Sequence, residues 1–360
     1  MITCSMIEIK SGKVIRILDE NSAISIVLVD INHKAEKAIN YNYMTGQIKI
    51  GDFVYLNTSA ATLSLGTGGF HFVIANLANR ETAFSAKGHG MKLKYTPMQV
   101  QVQFIEEDTE RNLNCFNKPL MLGEKVVIFS ELHSMLPPIC AYLKELSDKQ
   151  LKLSYIMTDH GALPMWFSKN VQTVREKGLL DCTISSGNAF GADFECVNIY
   201  TSLQTASLLS DIIIISMGPG IIGTNSKYGF SALELAFYIN LVSKHGGKCV
   251  FVPRISFADK RVRHYGVSHH SLTMVSEMLD RPVFFTLPYL DDKSERFFIS
   301  QLREAGALPF VKLSIYDGTD IIEVIKKHCP DITTMGRTYL EDPCFFYTIG
   351  ASCKKAYSLF

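Results

Sequence analysis

The stretch Asp211-Ile212-Ile213-Ile214-Ile215-Ser216-Met217-Gly218-Pro219-Gly220-Ile221-Ile222-Gly223-Thr224 decides the fold of this chain. Its apolar run does not alternate with polar residues, so it reads as a strand buried on both faces, as in a parallel sheet covered by helices. A polar, glycine-containing loop follows, and then a helix-like segment near 230–243. The same grammar recurs upstream: Val126-Val127-Ile128-Phe129 leads to a helix near 135–147, and Leu153-Ser154-Tyr155-Ile156-Met157 to one near 167–178. Further strands are expected at 248–252, 283–287 and 311–315, with a last helix near 319–328. The repetition predicts an α/β domain with a mostly parallel, doubly wound, Rossmann-like sheet, whose strand order the pattern leaves open.

Upstream the pattern changes. From about residue 7 to 75 the runs are short, alternating or β-branched, as in Val14-Ile15-Arg16-Ile17-Leu18 and Ile24-Ser25-Ile26-Val27-Leu28-Val29. Gly51-Asp52 and Gly66-Thr67-Gly68-Gly69 supply residues suited to chain reversal. A small antiparallel barrel or sandwich is expected here. Periodicity is lost between about 79 and 118, which holds Lys87-Gly88-His89-Gly90 and the acidic Glu106-Glu107-Asp108-Thr109-Glu110. The chain therefore divides into a β-rich N-terminal domain with linker, 1–115, and an α/β domain, 116–360.

At 360 residues, 47% hydrophobic and 20% charged, the chain can bury a sizeable core. With 36 basic and 35 acidic side chains its net charge is +1, so any anion binding must be local and nucleic acid ranks low as a partner. Nine scattered cysteines without a CxxC pair fit free thiols in a reducing, cytoplasmic setting. The N-terminus lacks the basic start and apolar run of a signal peptide, and 212–215 is too short to span a bilayer. Homo-oligomerisation is left open.

In a doubly wound sheet, ligands bind beyond the carboxyl ends of the strands. The loops expected there are Ser130-Glu131-Leu132-His133-Ser134, Thr158-Asp159-His160-Gly161, the Gly218 loop, and the long segment from Pro253 to Ser271. In the Gly218 loop, Gly218, Gly220 and Gly223 would let backbone N–H groups approach an anion, with Thr224, Ser226 and Lys227 as further donors. The loop matches neither a dinucleotide-binding nor a P-loop spacing, so the bland reading is a strand-to-helix turn. Arg254, Arg261 and Arg263 could clamp the same anion, or sit in an ordinary solvated loop.

His133, Asp159, His160, His269 and His270 are the candidate acid-base groups, with His264 and Asp259 nearby in sequence. Metal ligation is left undecided, because no pair has HExxH or CxxC spacing and a site would have to be assembled from separate loops. Adjacent His269 and His270 could instead pack at a helix start capped by Ser268. Ser130, Ser134, Ser216 and Ser268 are candidate nucleophiles without a GxSxG elbow, and Glu131 is a further acid-base candidate. The only tryptophan, Trp166, lies beside the Asp159 loop; a second polar loop runs from Ser185-Ser186-Gly187 to Asp193, and Thr333-Thr334-Met335-Gly336-Arg337 could close over the site.

Gly88-His89-x-Met91-Lys92-Leu93-Lys94-Tyr95-Thr96-Pro97-x-Gln99, the Gly66 turn, Gly218-Pro219-Gly220 with Gly223-Thr224, and Ser268-His269-His270-Ser271 together resemble an uncharacterised family of Gram-positive and related bacterial proteins. The resemblance covers nearly the whole chain and implies a bacterial cytoplasmic protein. It carries over no activity, cofactor or catalytic residue. The residues themselves lead to an enzyme acting on a small anionic metabolite, phosphorylated or nucleotide-like. The alternative is a non-catalytic metabolite-sensing or protein-interaction module.

Overall fold

The computed structural model describes residues 5–360 except 67, 82–83, 85–87, 109–113 and 162. Cys4, Thr67 of the Gly66 turn, Lys87, Thr109 and Glu110 of the acidic run, and Ala162 beside the tryptophan segment lie outside the described residues. By its contacts the chain divides into two compact units, Met1–Lys87 with Leu93–Gln101, and Gly88–Lys92 with Val102–Phe360.

In the first unit, strands β1 (Ile9–Glu20), β2 (Ile24–Ile31), β3 (Lys34–Tyr41), β4 (Phe53–Asn57) and β5 (His71–Asn76) close into a barrel in the order β1-β2-β3-β5-β4. Alternation places Val27, Val29 and Ile31 inside, against Val14, Val54, Leu56 and Val73. Asn32 and His33, at φ 53° and 66°, form the two-residue reversal between β2 and β3, a turn tighter than those expected at the glycines. Four of the pairings are antiparallel, but β3 and β5 run parallel, so the expected all-antiparallel arrangement is corrected at that seam. Closure leaves the sheet without a free edge.

The second unit is built on an all-parallel sheet. Its strands are β6 (Val126–Ser130), β7 (Leu153–Met157), β8 (Cys182–Ser186), β9 (Phe194–Cys196), β10 (Ile212–Ser216), β11 (Lys248–Val252), β12 (Val283–Pro288) and β13 (Val311–Tyr316). They lie in the order β9-β8-β7-β10-β6-β11-β12-β13, every neighbouring pair parallel. Helices α1 (Leu136–Leu146), α2 (Lys169–Glu176), α3 (Ile199–Leu209), α4 (Glu234–Lys244), α5 (His269–Met278), α6 (Asp292–Glu304), α7 (Ile321–His328) and α8 (Pro343–Leu359) cover both faces. Ile212 and Ile214 join one core with α1, α2, α7 and α8, whereas Ile213 and Ile215 join the other with α3 to α6. That double burial is why the strand carries no polar alternation.

From β6 the chain runs outward through β7, β8 and β9, returns to β10 beside β6, and then proceeds the other way through β11, β12 and β13. The loops after β6, β10 and β11 therefore border the reversal point, where an open α/β sheet takes its ligand. Among the described residues no helix is long and apolar enough to cross a membrane.

Candidate functional site

The loop after β11 folds back as a short hairpin, with Ile255-Ser256 pairing antiparallel to Gly266-Val267. This returns the chain beside the start of α5 and sets His264 against His269 and His270, with ring centroids 4.2 to 5.1 Å apart. One ring nitrogen from each lies within 4.8 Å of the others. Ser268 Oγ accepts the His270 backbone N–H at 3.3 Å, capping α5, and bonds His264 Nδ1 at 2.8 Å. The His270 ring lies flat on Phe230, centroids 4.0 Å apart, at the end of the glycine loop. His269 Nε2 and both ring nitrogens of His270 are buried without a hydrogen-bond partner among the described residues. Burial, reinforced by the arginines nearby, lowers His264 and His270 to about 3 and also lowers His269, so all three are neutral imidazoles near pH 7.

Around this cluster several arginines share few carboxylates. Buried Asp259 accepts from Arg254 Nη2 at 2.6 Å and from Arg261 Nε and Nη2 at 3.0 and 2.8 Å, and Arg337 Nη2 lies 3.9 Å away. The Arg261 hydrogen bonds hold the Asp259 carboxyl well below the usual carboxylate range. Arg337 also pairs with buried Asp342 at 3.0 Å, and Arg263 donates to Asn225 Oδ1 at 3.0 Å. Glu131, fully buried, accepts from Ser271 Oγ and, at 3.4 Å, from the Arg254 N–H, while its Oε1 has no partner among the described residues. Burial pushes its carboxyl up, toward the neutral form. The local balance is therefore positive in a chain of almost no net charge.

The histidines read from the sequence fall into separate settings. His133 does not belong to the three-histidine cluster; its Nε2 bonds Ser168 Oγ at 2.6 Å and its Nδ1 donates to Met217 O at 3.2 Å, beside Tyr155 Oη. It pins the base of the glycine loop. His160 is exposed and Asp159 half-buried, its Oδ1 accepting the Asn188 N–H at 2.5 Å. These two act electrostatically on Glu234, whose carboxyl accepts from Thr158 Oγ1 and is pushed up by burial.

The glycine loop reaches the histidines, since a Cβ at Gly223 would sit 3.4 Å from His270 Cε1. Its donors, however, are engaged inside the protein. Thr224 N–H and Oγ1 both donate to Gly229 O, at 2.7 and 3.0 Å, Ser226 Oγ shares a hydrogen with Thr224 Oγ1 at 2.8 Å, and Lys227 pairs with Glu277 at 2.5 Å. Residues 223–230 thus make a closed hairpin, and α4 starts only at Glu234. Gly218 is packed against Met157 and Leu163, whereas Gly220, at φ 100°, has open space where a side chain would be.

Among the candidate nucleophiles, Ser268 is a helix cap, Ser134 bonds Thr334 Oγ1 and Ser216 bonds the Met217 carbonyl, while buried Ser130 Oγ has no partner among the described residues. The Trp166 ring meets Phe190 edge-on, with Gly191 against its face. Sequence reasoning missed the roles of Arg337 with Asp342, of Ser271 on Glu131, and of Glu234. A carboxylate directly after a buried strand had already marked Glu131; Arg337 carried no such signal, because neither its approach to Asp259 nor the burial of Asp342 shows in the sequence. It also missed Lys92, fully buried, whose Nζ donates to Ala189 O at 2.5 Å and Glu195 Oε2 at 2.7 Å and so closes the second polar loop.

A family model described as "Protein of unknown function (DUF3866)" matches residues 37–353, and the chain belongs to that family. No curated protein matches it.

Proposed function

We propose that this DUF3866 protein is an enzyme that acts on a small anionic metabolite, phosphorylated or nucleotide-like, at the carboxyl edge of its parallel sheet. One observation carries the reading: the unpartnered nitrogens of His269 and His270 sit within the electrostatic reach of Arg254, Arg261 and Arg263. Fixed positive charge around neutral imidazoles supports recognition of an anion and chemistry on it. Arg261 is half-exposed and accessible to a ligand, while buried Arg254 sets the field. Gly218, Gly220 and Gly223 line the neighbouring loop; Thr224, Ser226 and Lys227 would join the ligand only after giving up their present partners. Glu131 and the Asp159, His160 and Glu234 group would supply further proton-transfer capacity. The edge would then serve as it does in Rossmann-like proteins. The described cysteines are all free thiols, which supports a reducing, cytoplasmic setting.

The test is isothermal titration of the full chain with orthophosphate, pyrophosphate and AMP, followed by phosphorus NMR of any bound compound over time. Saturable binding of at least one, weakened tenfold or more in Arg261→Ala/Arg263→Ala, is expected. No binding across the panel, or binding indifferent to both substitutions, defeats the proposal. A bound compound that persists unchanged would favour the sensing module.

A further inference from the structure

We propose that His264, His269 and His270 together bind one divalent transition-metal ion of the zinc class, leaving a coordination position open to an anionic oxygen. The metal site stands without the proposed function; only the anionic occupant of the open position rests on that reading.

Three features point to an ion rather than to packing. First, one nitrogen from each ring lies within 4.8 Å of the others. Around a tetrahedral ion with Zn–N bonds of about 2.0–2.1 Å the nitrogens stand roughly 3.3 Å apart, so modest side-chain rotations close the gap. Second, His269 Nε2 and both nitrogens of His270 are buried with no partner among the described residues. A histidine that only packs normally finds a hydrogen bond for its polar atoms. His133, in the same sheet edge, does so with both nitrogens. Third, the orientation of His264 is fixed from behind. Its Nδ1 bonds Ser268 Oγ at 2.8 Å, and in the tautomer whose Nδ1–H donates to that oxygen Nε2 is the ligating atom. Metal-binding histidines are commonly held through their other nitrogen in this way. The flat stack of His270 on Phe230 supports the second ring on one face while leaving it free to turn in its own plane.

Imidazole nitrogens select zinc, cobalt, nickel or copper over magnesium and calcium, which take oxygen ligands. Three protein ligands leave the fourth position for water or substrate, the pattern of catalytic rather than structural zinc. Arg254, Arg261 and Arg263 oppose a bare cation here. The same charges favour a metal-bound hydroxide or oxyanion, so metal and anion should bind with mutual support.

The experiment is a titration of chelator-stripped full-length protein with Co²⁺, followed by its visible d–d spectrum and by calorimetry, and repeated with azide as a monodentate anion. One Co²⁺ per chain is expected, with a four- or five-coordinate spectrum that azide shifts, and with Co²⁺ affinity raised several-fold by azide. His269→Ala, the least buried of the three, should weaken Co²⁺ at least tenfold with an unchanged circular dichroism spectrum, as should His270→Ala if it folds. Absence of stoichiometric Co²⁺ uptake by the wild-type protein overturns the site irrespective of any variant. Uptake unchanged in folded His269→Ala overturns the ligand set, and a spectrum indifferent to azide overturns the open position. Co²⁺ uptake without binding of any phosphate compound would retain the metal and defeat the proposed function, whereas phosphate binding by protein that takes up no metal would do the reverse.

Discussion

His133 has both ring nitrogens in hydrogen bonds, and burial lowers it to about 4 from an ordinary 6.5. The unfolded chain takes up this proton near pH 6.5 and the folded protein only near 4, so its contribution to stability is intact above that window and declines as pH falls through it. Between pH 7 and 5 the loss is about 2 kcal/mol. His133→Gln should be less stable at pH 7, yet lose about 2 kcal/mol less than wild type over that interval in urea unfolding. Equal losses in both proteins would contradict this. Lys92 makes the opposite case, a charge buried with its partner. Lys92→Met strands Glu195 and should cost roughly 3–5 kcal/mol, read as a lowered melting temperature, with Glu195→Gln on top restoring part of it. Neither role was legible in the sequence. A histidine in an edge loop and a lysine in an irregular segment look solvated until their partners, dozens of residues away, are known.

At the level of elements more of the fold was legible in the sequence. The helices expected near 135–147, 167–178, 230–243 and 319–328 are present as α1, α2, α4 and α7, their boundaries shifted by a few residues. Strands with uninterrupted apolar runs announce themselves because both faces are buried. α8 does not, since Cys344, Phe345, Phe346, Ile349 and Cys353 are buried on several sides and leave no amphipathic stripe. It packs where Gly350 meets Gly318 backbone to backbone; a Cβ at Gly350 would lie 2.6 Å from Gly318 O. Gly350→Ala should therefore cost about 1–3 kcal/mol through overpacking, although alanine is the better helix former. A thermal melt at or above the wild-type temperature would show that the crossing yields freely.

For the whole molecule, seven of the eight described cysteines are buried and only Cys115 is half-buried. In a Cys4→Ser variant, native protein should release at most one fast equivalent with Ellman's reagent, and denatured protein all eight. Several fast equivalents in the native state would contradict the burial of these seven thiols. The nature of the two units, a β-rich segment followed by a parallel α/β sheet, was legible because side-chain periodicity records which faces meet water. So was the gathering of the loops after β6, β7, β10 and β11 at one edge, once the strands proved parallel. Tertiary structure alone decided the strand order, the parallel seam in the barrel, and above all which polar residues meet. His264, His269 and His270 converge because a hairpin turns the chain back onto the start of α5, while Thr224, Ser226 and Lys227 are consumed by their own loop. Periodicity registers burial one residue at a time, but a site is a set of distances between residues, and those are set by how the loops close.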